Sequence, residues 1–178
     1  MTTATPRPAP LPYPSRPPAS RPPSPRVRTA RVPDAAALAE LSRPFVRSGA
    51  LRERPDTLYA AQAAEFLVAV APGGGLEGCV GLRVYSPDPV TGHGPAGVLY
   101  NFCVAGHRQG RGVGAALLRA ALAMARAQSL GALFTATTGS GRLFLRYGFA
   151  PAGVRRAPRP WADSLDPRRN ARILARTL

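Results

Sequence analysis

The sequence predicts an α/β protein: one mixed sheet with helices packed between its strands. Three observations carry that reading. Compact apolar runs at Phe66 to Val70, Gly78 to Tyr85, Val98 to Val104 and Leu133 to Ala136 are separated by turn-forming clusters. A long segment carries Val113, Leu117, Ala121 and Met124 at helical spacing. Between the third run and that helix lies a turn in which Gly110, Gly112 and Gly114 alternate. Strands interleaved with helices make a mixed sheet the economical packing solution.

The elements follow in order. Residues 1 to 25 hold ten prolines and almost no large apolar side chain. Such a stretch cannot bury enough surface to offset its ordering entropy, so a disordered tail of polyproline II character is expected. The folded domain is expected over 26–178. Val27 to Arg31 fits a first strand. Pro33-Asp34 opens a helix with Ala37, Leu38, Leu41 and Phe45 on one face. Arg43-Pro44-Phe45 then leads out to Gly49-Ala50-Leu51, and Pro55-Asp56-Thr57 starts a second helix to about Ala64. Two strands around Gly73-Gly74-Gly75 form a hairpin. After a proline-rich loop come the central strand, the glycine turn and the long helix to about Gln128. Leu133 to Ala136 is a further strand, Ser140 to Tyr147 a short helix, and Ile173 to Leu178 a last strand. The expected order is β-α-α-β-β-β-α-β-α-β.

Composition narrows the function. All 24 basic residues are arginine, against nine acids, for a net charge of +15. From Pro89 to Ala162 there are nine arginines and no Asp or Glu. The glycine turn therefore lies in a positive field suited to an anionic ligand. Cys79 and Cys103 have no metal-ligand spacing and read as buried free thiols in a reducing compartment. No metal site is expected. No apolar run approaches the roughly 20 residues of a membrane span, and no secretory signal opens the chain; the expected location is cytoplasmic.

A turn without side chains lets an anion approach the backbone, and the following helix start offers free N–H groups and a partial positive charge. The turn lacks the G-x-G-x-x-G spacing of a dinucleotide fingerprint and the G-K-[ST] of a P-loop. It reads Gln109-Gly110-Arg111-Gly112-Val113-Gly114, after a strand ending at Val104 and before an apolar helix, with Tyr147-Gly148-Phe149 downstream. This pattern resembles motif A of the GCN5-related N-acetyltransferases. The resemblance implies a mostly antiparallel central sheet with a V-shaped splay, and acetyl-CoA as co-substrate. It places the pyrophosphate on Gln109, Gly110, Arg111, Gly112, Val113 and Gly114, and the pantetheine along Phe102, Cys103 and Val104, bound as an added strand. A backbone N–H near Phe102 or Cys103 would polarise the thioester carbonyl.

The acceptor side rests on three further stretches. Leu133-Phe-Thr-Ala-Thr-Thr138 with Phe144 to Phe149, Arg43-Pro-Phe with Gly49-Ala-Leu51, and Arg169-Asn-Ala-Arg-Ile-Leu174 resemble segments of bacterial N-acetylglutamate synthases. The resemblance implies transfer to the α-amine of L-glutamate, in arginine biosynthesis. It makes Arg52, Arg54, Thr137, Thr138, Arg142 and Arg172 candidates to hold carboxylates, because arginine forks match their geometry. It departs from the family at three points. Val98 stands where many relatives carry a central-strand Glu, Gly139 stands where an Arg usually follows the Thr pair, and no amino-acid-kinase domain precedes the acetyltransferase, although short stand-alone versions belong to the family. Phe144, where many GCN5-related enzymes carry Tyr, agrees with the synthases. Asn101 and Tyr147 are the catalytic candidates, neither a ready base, and a water relay stays open. A small-molecule amine is the expected partner, without membrane or nucleic acid, and a homodimer stays open. The competing readings are an acetyltransferase of another small amine, an antibiotic or a protein N-terminus, and a non-catalytic acyl-CoA- or nucleic-acid-binding module.

Overall fold

The structure, a computed structural model, describes residues 25–90 and 92–178. The expected disordered tail lies, except for Pro25, outside the described residues. The strands are β1 (Arg26–Thr29), β2 (Phe66–Val70), β3 (Leu76–Tyr85), β4 (Ala96–Val104), β5 (Ala132–Thr137), β6 (Ala150–Pro151) and β7 (Arg172–Thr177). The helices are α1 (Ala35–Arg47), α2 (Asp56–Ala61), α3 (Val113–Ala127), α4 (Arg142–Arg146) and α5 (Arg159–Asp163). One seven-stranded sheet runs β1-β2-β3-β4-β5-β7-β6. Only β4 and β5 are parallel, joined through α3; every other pair is antiparallel.

Strand alternation divides the core. Leu67, Ala69, Val80, Leu82 and Leu99 face α3, where Val113, Leu117, Leu118 and Ala121 meet them. Phe66, Val68, Cys79 and Cys103 face the other way, against Leu38 and Ala39 of α1 and Tyr59 of α2. A third cluster forms under the chain's last third, where Trp161 of α5 packs with Val98, Phe134 and Ala157. Because both faces are covered, β2 reads as an unbroken apolar run rather than an alternating one.

Several expectations change in detail. The buried stripe of α1 is Leu38, Ala39 and Ser42, with Leu41 and Phe45 partly buried, and Ala37 is exposed. Pro44 does not lead out of α1; the helix continues past it to Arg47. The second helix is short and is followed by a separate 3-10 turn at Ala63–Glu65. β6 and α5 are absent from the expected order. They are two and five residues long, too short to leave a periodic signal.

Two devices position the site. First, β4 pairs with β5 only from Ala96 to Leu99, so the two strands part beyond that point. Second, β4 carries a bulge. Gly81 opposes Tyr100 and Cys79 opposes Cys103, so three steps on β4 match two on β3. Asn101 absorbs the extra residue at φ 49°, a left-handed conformation that asparagine tolerates better than most residues. Close approach elsewhere requires glycine. A Cβ on Gly97 would lie 2.5 Å from Leu133 Cδ2 and 2.8 Å from Leu82 Cδ1.

Two stability predictions follow from this packing. Gly97→Val overpacks the β4–β5 junction, and thermal unfolding should show a loss of about 1–3 kcal/mol; unchanged stability would refute the close packing. Asp34 accepts two bonds from Arg28, at 2.7 and 2.8 Å, and one from the Arg31 N–H at 2.7 Å. The Arg28 guanidinium is the main reason its carboxyl is held down at about 2. A depressed carboxyl stabilises the fold above its unfolded value, and that contribution is lost as pH falls through the folded value. Asp34→Asn should therefore destabilise at neutral pH and converge with the parent near pH 2 in acid-unfolding curves.

Candidate active site

The glycine turn sits where the parting strands open. After β4, a 3-10 turn at Gly106–Arg108 leads to Gly110 at φ 74° and Gly112 at φ 86°, and α3 begins at Val113. A Cβ on either glycine would meet nothing within 4 Å, so the backbone faces open space. The first intrahelical bond of α3 runs from the Ala116 N–H to the Gly112 carbonyl. Among the described residues, no acceptor is assigned to the N–H groups of Gly110, Gly112, Val113, Gly114 or Ala115. Five unpaired amides at a helix start are suited to phosphate oxygens. The N–H groups of Gln109 and Arg111 bond to the Gly106 and Arg108 carbonyls instead, at 3.3 Å each. The Arg111 side chain is exposed.

Glu77 and Arg108 anchor this turn. Glu77, buried at 6% exposure, pairs with Arg108 at 2.9 Å, and the Glu77 carbonyl accepts the Ala105 N–H at 2.8 Å. Arg108 is thus neutralised from outside the acid-free span, a pairing composition alone does not reveal. The Gln109 side chain donates to the Val104 carbonyl at 3.0 Å, capping the end of the β4 edge. Phe102 is partly exposed and packs on Phe144 at 5.4 Å, while Cys103 and Val104 are buried. Cys103 Sγ lies 3.5 Å from Cys79 Sγ, and both thiols are free. That contact, together with burial, pushes the Cys79 thiol well up.

Two cavities meet at the bulge. The first, about 380 Å³, follows the opening between Leu99–Phe102 and Thr135–Phe144. The second, about 580 Å³, lies above β3 and β4 and is roofed by the α1–α2 loop and the segment from Val154 to Ala171. Leu51, Leu99, Tyr100, Asn101 and Thr138 line both. The roof is tied together across the chain. Arg169 donates to the Gly49 and Ala50 carbonyls at 2.9 and 3.1 Å, and Arg52 donates to the Ser164 carbonyl at 3.0 Å.

The structure separates the acceptor candidates. Arg54 lines the larger cavity, with its guanidinium 4.8 Å above the Tyr100 ring. Its Nε is buried without a partner, and burial pushes its pKa below the ordinary value. Arg52 also lines that cavity; Thr137 and Arg142 line the smaller one, and Thr138 lines both. Thr137 Oγ1 accepts the Gly139 N–H at 3.1 Å. Arg172 is directed elsewhere: it donates to the Gly139 carbonyl at 2.9 Å and bounds neither cavity.

The catalytic candidates are not brought together. Asn101 is buried at the bulge, donating to Ser42 Oγ at 2.8 Å, with its Oδ1 unpartnered. Tyr147 lies at the end of α4, where its hydroxyl accepts from Arg119 at 2.9 Å and its carbonyl from Arg176. It borders neither cavity. Val98 is buried against the Trp161 cluster, and Phe144 brings a ring without a hydroxyl to the smaller cavity. Sequence reasoning missed a polar cluster beside the larger cavity. The Tyr100 hydroxyl donates to Glu65 Oε2 at 2.7 Å, and Arg83 Nε donates to the same oxygen at 3.0 Å. Tyr100 was visible as a polar residue in an apolar strand; its partners, 35 and 17 residues away, were not.

Comparison with known proteins agrees with this geometry. A search of curated proteins by sequence returns no match. The N-acetylglutamate synthase of Neisseria gonorrhoeae, solved with coenzyme A and N-acetyl-glutamate, superposes at a TM-score of 0.76 with 26% identity. That match covers 86% of this chain and 35% of the Neisseria chain, so the present chain spans about a third of that protein's length. The same enzyme with coenzyme A and L-arginine gives a TM-score of 0.71, at 26% identity, over 86% of this chain and 33% of that one. A Mycobacterium tuberculosis protein in complex with CoA and NLQ gives 0.70 at 23% identity, over 86% of this chain and 99% of its own, and shares the fold. The sequence profile of the "Acetyltransferase (GNAT) family" matches residues 35–149, from the start of α1 through the glycine turn to Phe149; the chain belongs to that family.

Proposed function

We propose that this protein transfers the acetyl group of acetyl-CoA to the amine of a small anionic acceptor, with the α-amine of L-glutamate the leading candidate. The observation that carries the reading is Arg54, a half-buried guanidinium with an unpaired Nε and, among the described residues, no carboxylate partner, facing a cavity that opens onto the parted strands. A desolvated cation without an anion is costly unless a ligand supplies the charge. An acceptor carboxylate would supply it through charge-assisted bonds. Arg52 and Thr138 line the same cavity. The Neisseria neighbour, solved with N-acetyl-glutamate, supports glutamate in particular.

On this reading the donor pyrophosphate bonds to the free amides of Gly110 and Gly112 to Ala115. The pantetheine extends along β4 beyond Leu99, where β5 no longer pairs. A backbone N–H near Phe102 or Cys103 polarises the thioester carbonyl. The acceptor nitrogen attacks that carbon, the C–S bond breaks, and the thiol departs as the amide forms. Most of the acceleration comes from holding nitrogen and thioester in contact distance. The second reading is an acetyltransferase of another small amine. Tyr100 and its polar partners favour it, since the resemblance to the glutamate enzymes does not extend to them.

Two measurements test the proposal. In a panel of amines with acetyl-CoA and thiol release as readout, turnover should be fastest with L-glutamate. Activity confined to uncharged or cationic amines would overturn the anionic acceptor. Gly112→Glu places a carboxylate among the free amides, where space is open but φ is positive. The strain should cost about 1–2 kcal/mol of stability. Coenzyme A affinity by calorimetry should fall at least tenfold; unchanged affinity would refute the placement.

A further inference from the structure

With Val98 in the apolar core, the acceptor's ammonium proton has no carboxylate on β4 to go to. We infer that Tyr100 takes this proton and passes its own to Glu65, so that a phenol–carboxylate pair from β4 and the α2–β2 junction serves as the general base. The inference rests on the acetyl-transfer reading above.

Four observations converge on it. Tyr100 lines both cavities, immediately before the bulge. Its hydroxyl hydrogen is committed to Glu65 Oε2 at 2.7 Å, and its other neighbour, Gln62 Oε1 at 3.4 Å, is also an acceptor. No donor among the described residues is directed at the phenol oxygen, which leaves its lone pairs for an N–H from the cavity. The ring is held in place: it lies across β3 so closely that a Cβ on Gly81 would be 2.5 Å from it, with Phe66 edge-on at 5.3 Å and Arg54 above. Finally, the carboxylate that lines the larger cavity, among the described residues, is already committed. Asp166 bonds to the Arg168 side chain through both oxygens, at 3.0 and 3.1 Å, and that arginine holds its carboxyl low.

The proton balance is simple. Before attack, an ammonium N–H proton moves to Tyr100 Oη as the Tyr100 proton moves to Glu65 Oε2. The free amine then adds to the thioester carbon, and the second proton it sheds leaves with the thiolate as the C–S bond breaks, giving the amide and the neutral thiol. The phenol ends neutral, and the charge change falls on Glu65. Burial first, and Glu65 second, push the free phenolate out of reach, so Tyr100 acts by handing on a proton rather than by ionising alone. The groups facing the pair are Arg83 from β3, Gln62 from the end of α2, and Arg54 from the α1–α2 loop.

The test uses the full chain and whichever amine of the panel turns over. Tyr100→Phe and Glu65→Gln should each lower kcat about 100-fold, in the range of general-base catalysis, with acceptor KM changed less than threefold. The deficit should shrink as pH rises toward the amine's own pKa, where solution supplies the free amine. Retained kcat, a loss confined to KM, or a deficit constant with pH in either folded variant would overturn the relay. Coenzyme A affinity and circular dichroism identify which variants are folded. If Glu65→Gln does not fold, Tyr100→Phe and Tyr100→Trp decide, since only an acid–base role is recovered at high pH. A parent enzyme that binds coenzyme A yet acetylates no amine sinks the transfer reading and the relay with it. A parent that turns over while its variants keep their rate sinks the relay alone.

Discussion

Everything at this site depends on β4 losing its partner. Backbone N–H and C=O groups inside a sheet are normally paired, and leaving them unpaired is costly. Here the ladder to β5 stops at Leu99 while the ladder to β3 continues. The fold tolerates the gap because the bulge at Asn101 twists β4 away and the two cavities keep its far edge accessible. Parallel strands joined through α3 can diverge in this way, since no tight hairpin binds their ends. The same divergence sets the start of α3, with its unpaired amides, at the mouth of the opening.

Charge is divided with comparable economy. Among 24 arginines, those that shape the site have distinct partners. Arg108 answers the buried Glu77 and holds the glycine turn to β3. Arg83 answers Glu65 beneath Tyr100. Arg169 and Arg52 are spent on backbone carbonyls, tying the roof loop to the C-terminal segment. Arg54 is left with an aromatic face and an unpartnered Nε. A cation–π contact offsets only part of the desolvation of a guanidinium. The positive field inferred from composition reaches the larger cavity through Arg54 and Arg52, and the glycine turn and the smaller cavity through Arg111 and Arg142.

Much of this was legible in the residues. The strand runs and the period of α3 were local signals, and β2 and α3 match their expected spans to within a residue or two. The glycine turn was legible because positive φ leaves a mark in composition. The α1 face was misread at Ala37 because alanine weighs little in a hydrophobic stripe, while Ser42 is buried through a bond from Asn101 59 residues away. The fate of Tyr147 was also illegible. A tyrosine beside Gly148-Phe149 reads the same whether its hydroxyl faces a thioester or, as here, Arg119.

By itself the sequence determined the order of the longer elements, the glycine turn and the expectation that this turn holds an anion. Each follows from neighbours a few residues apart, through periodicity, turn chemistry and helix-end electrostatics. Only the tertiary structure decided that Arg54 is partly buried at the cavity with its Nε unpartnered, that Arg172 supports the loop at Gly139 instead of the cavity, and that Glu65 stands behind Tyr100. Those facts depend on strand register and on the bulge that shifts it, and a one-residue slip would turn each side chain to the opposite face.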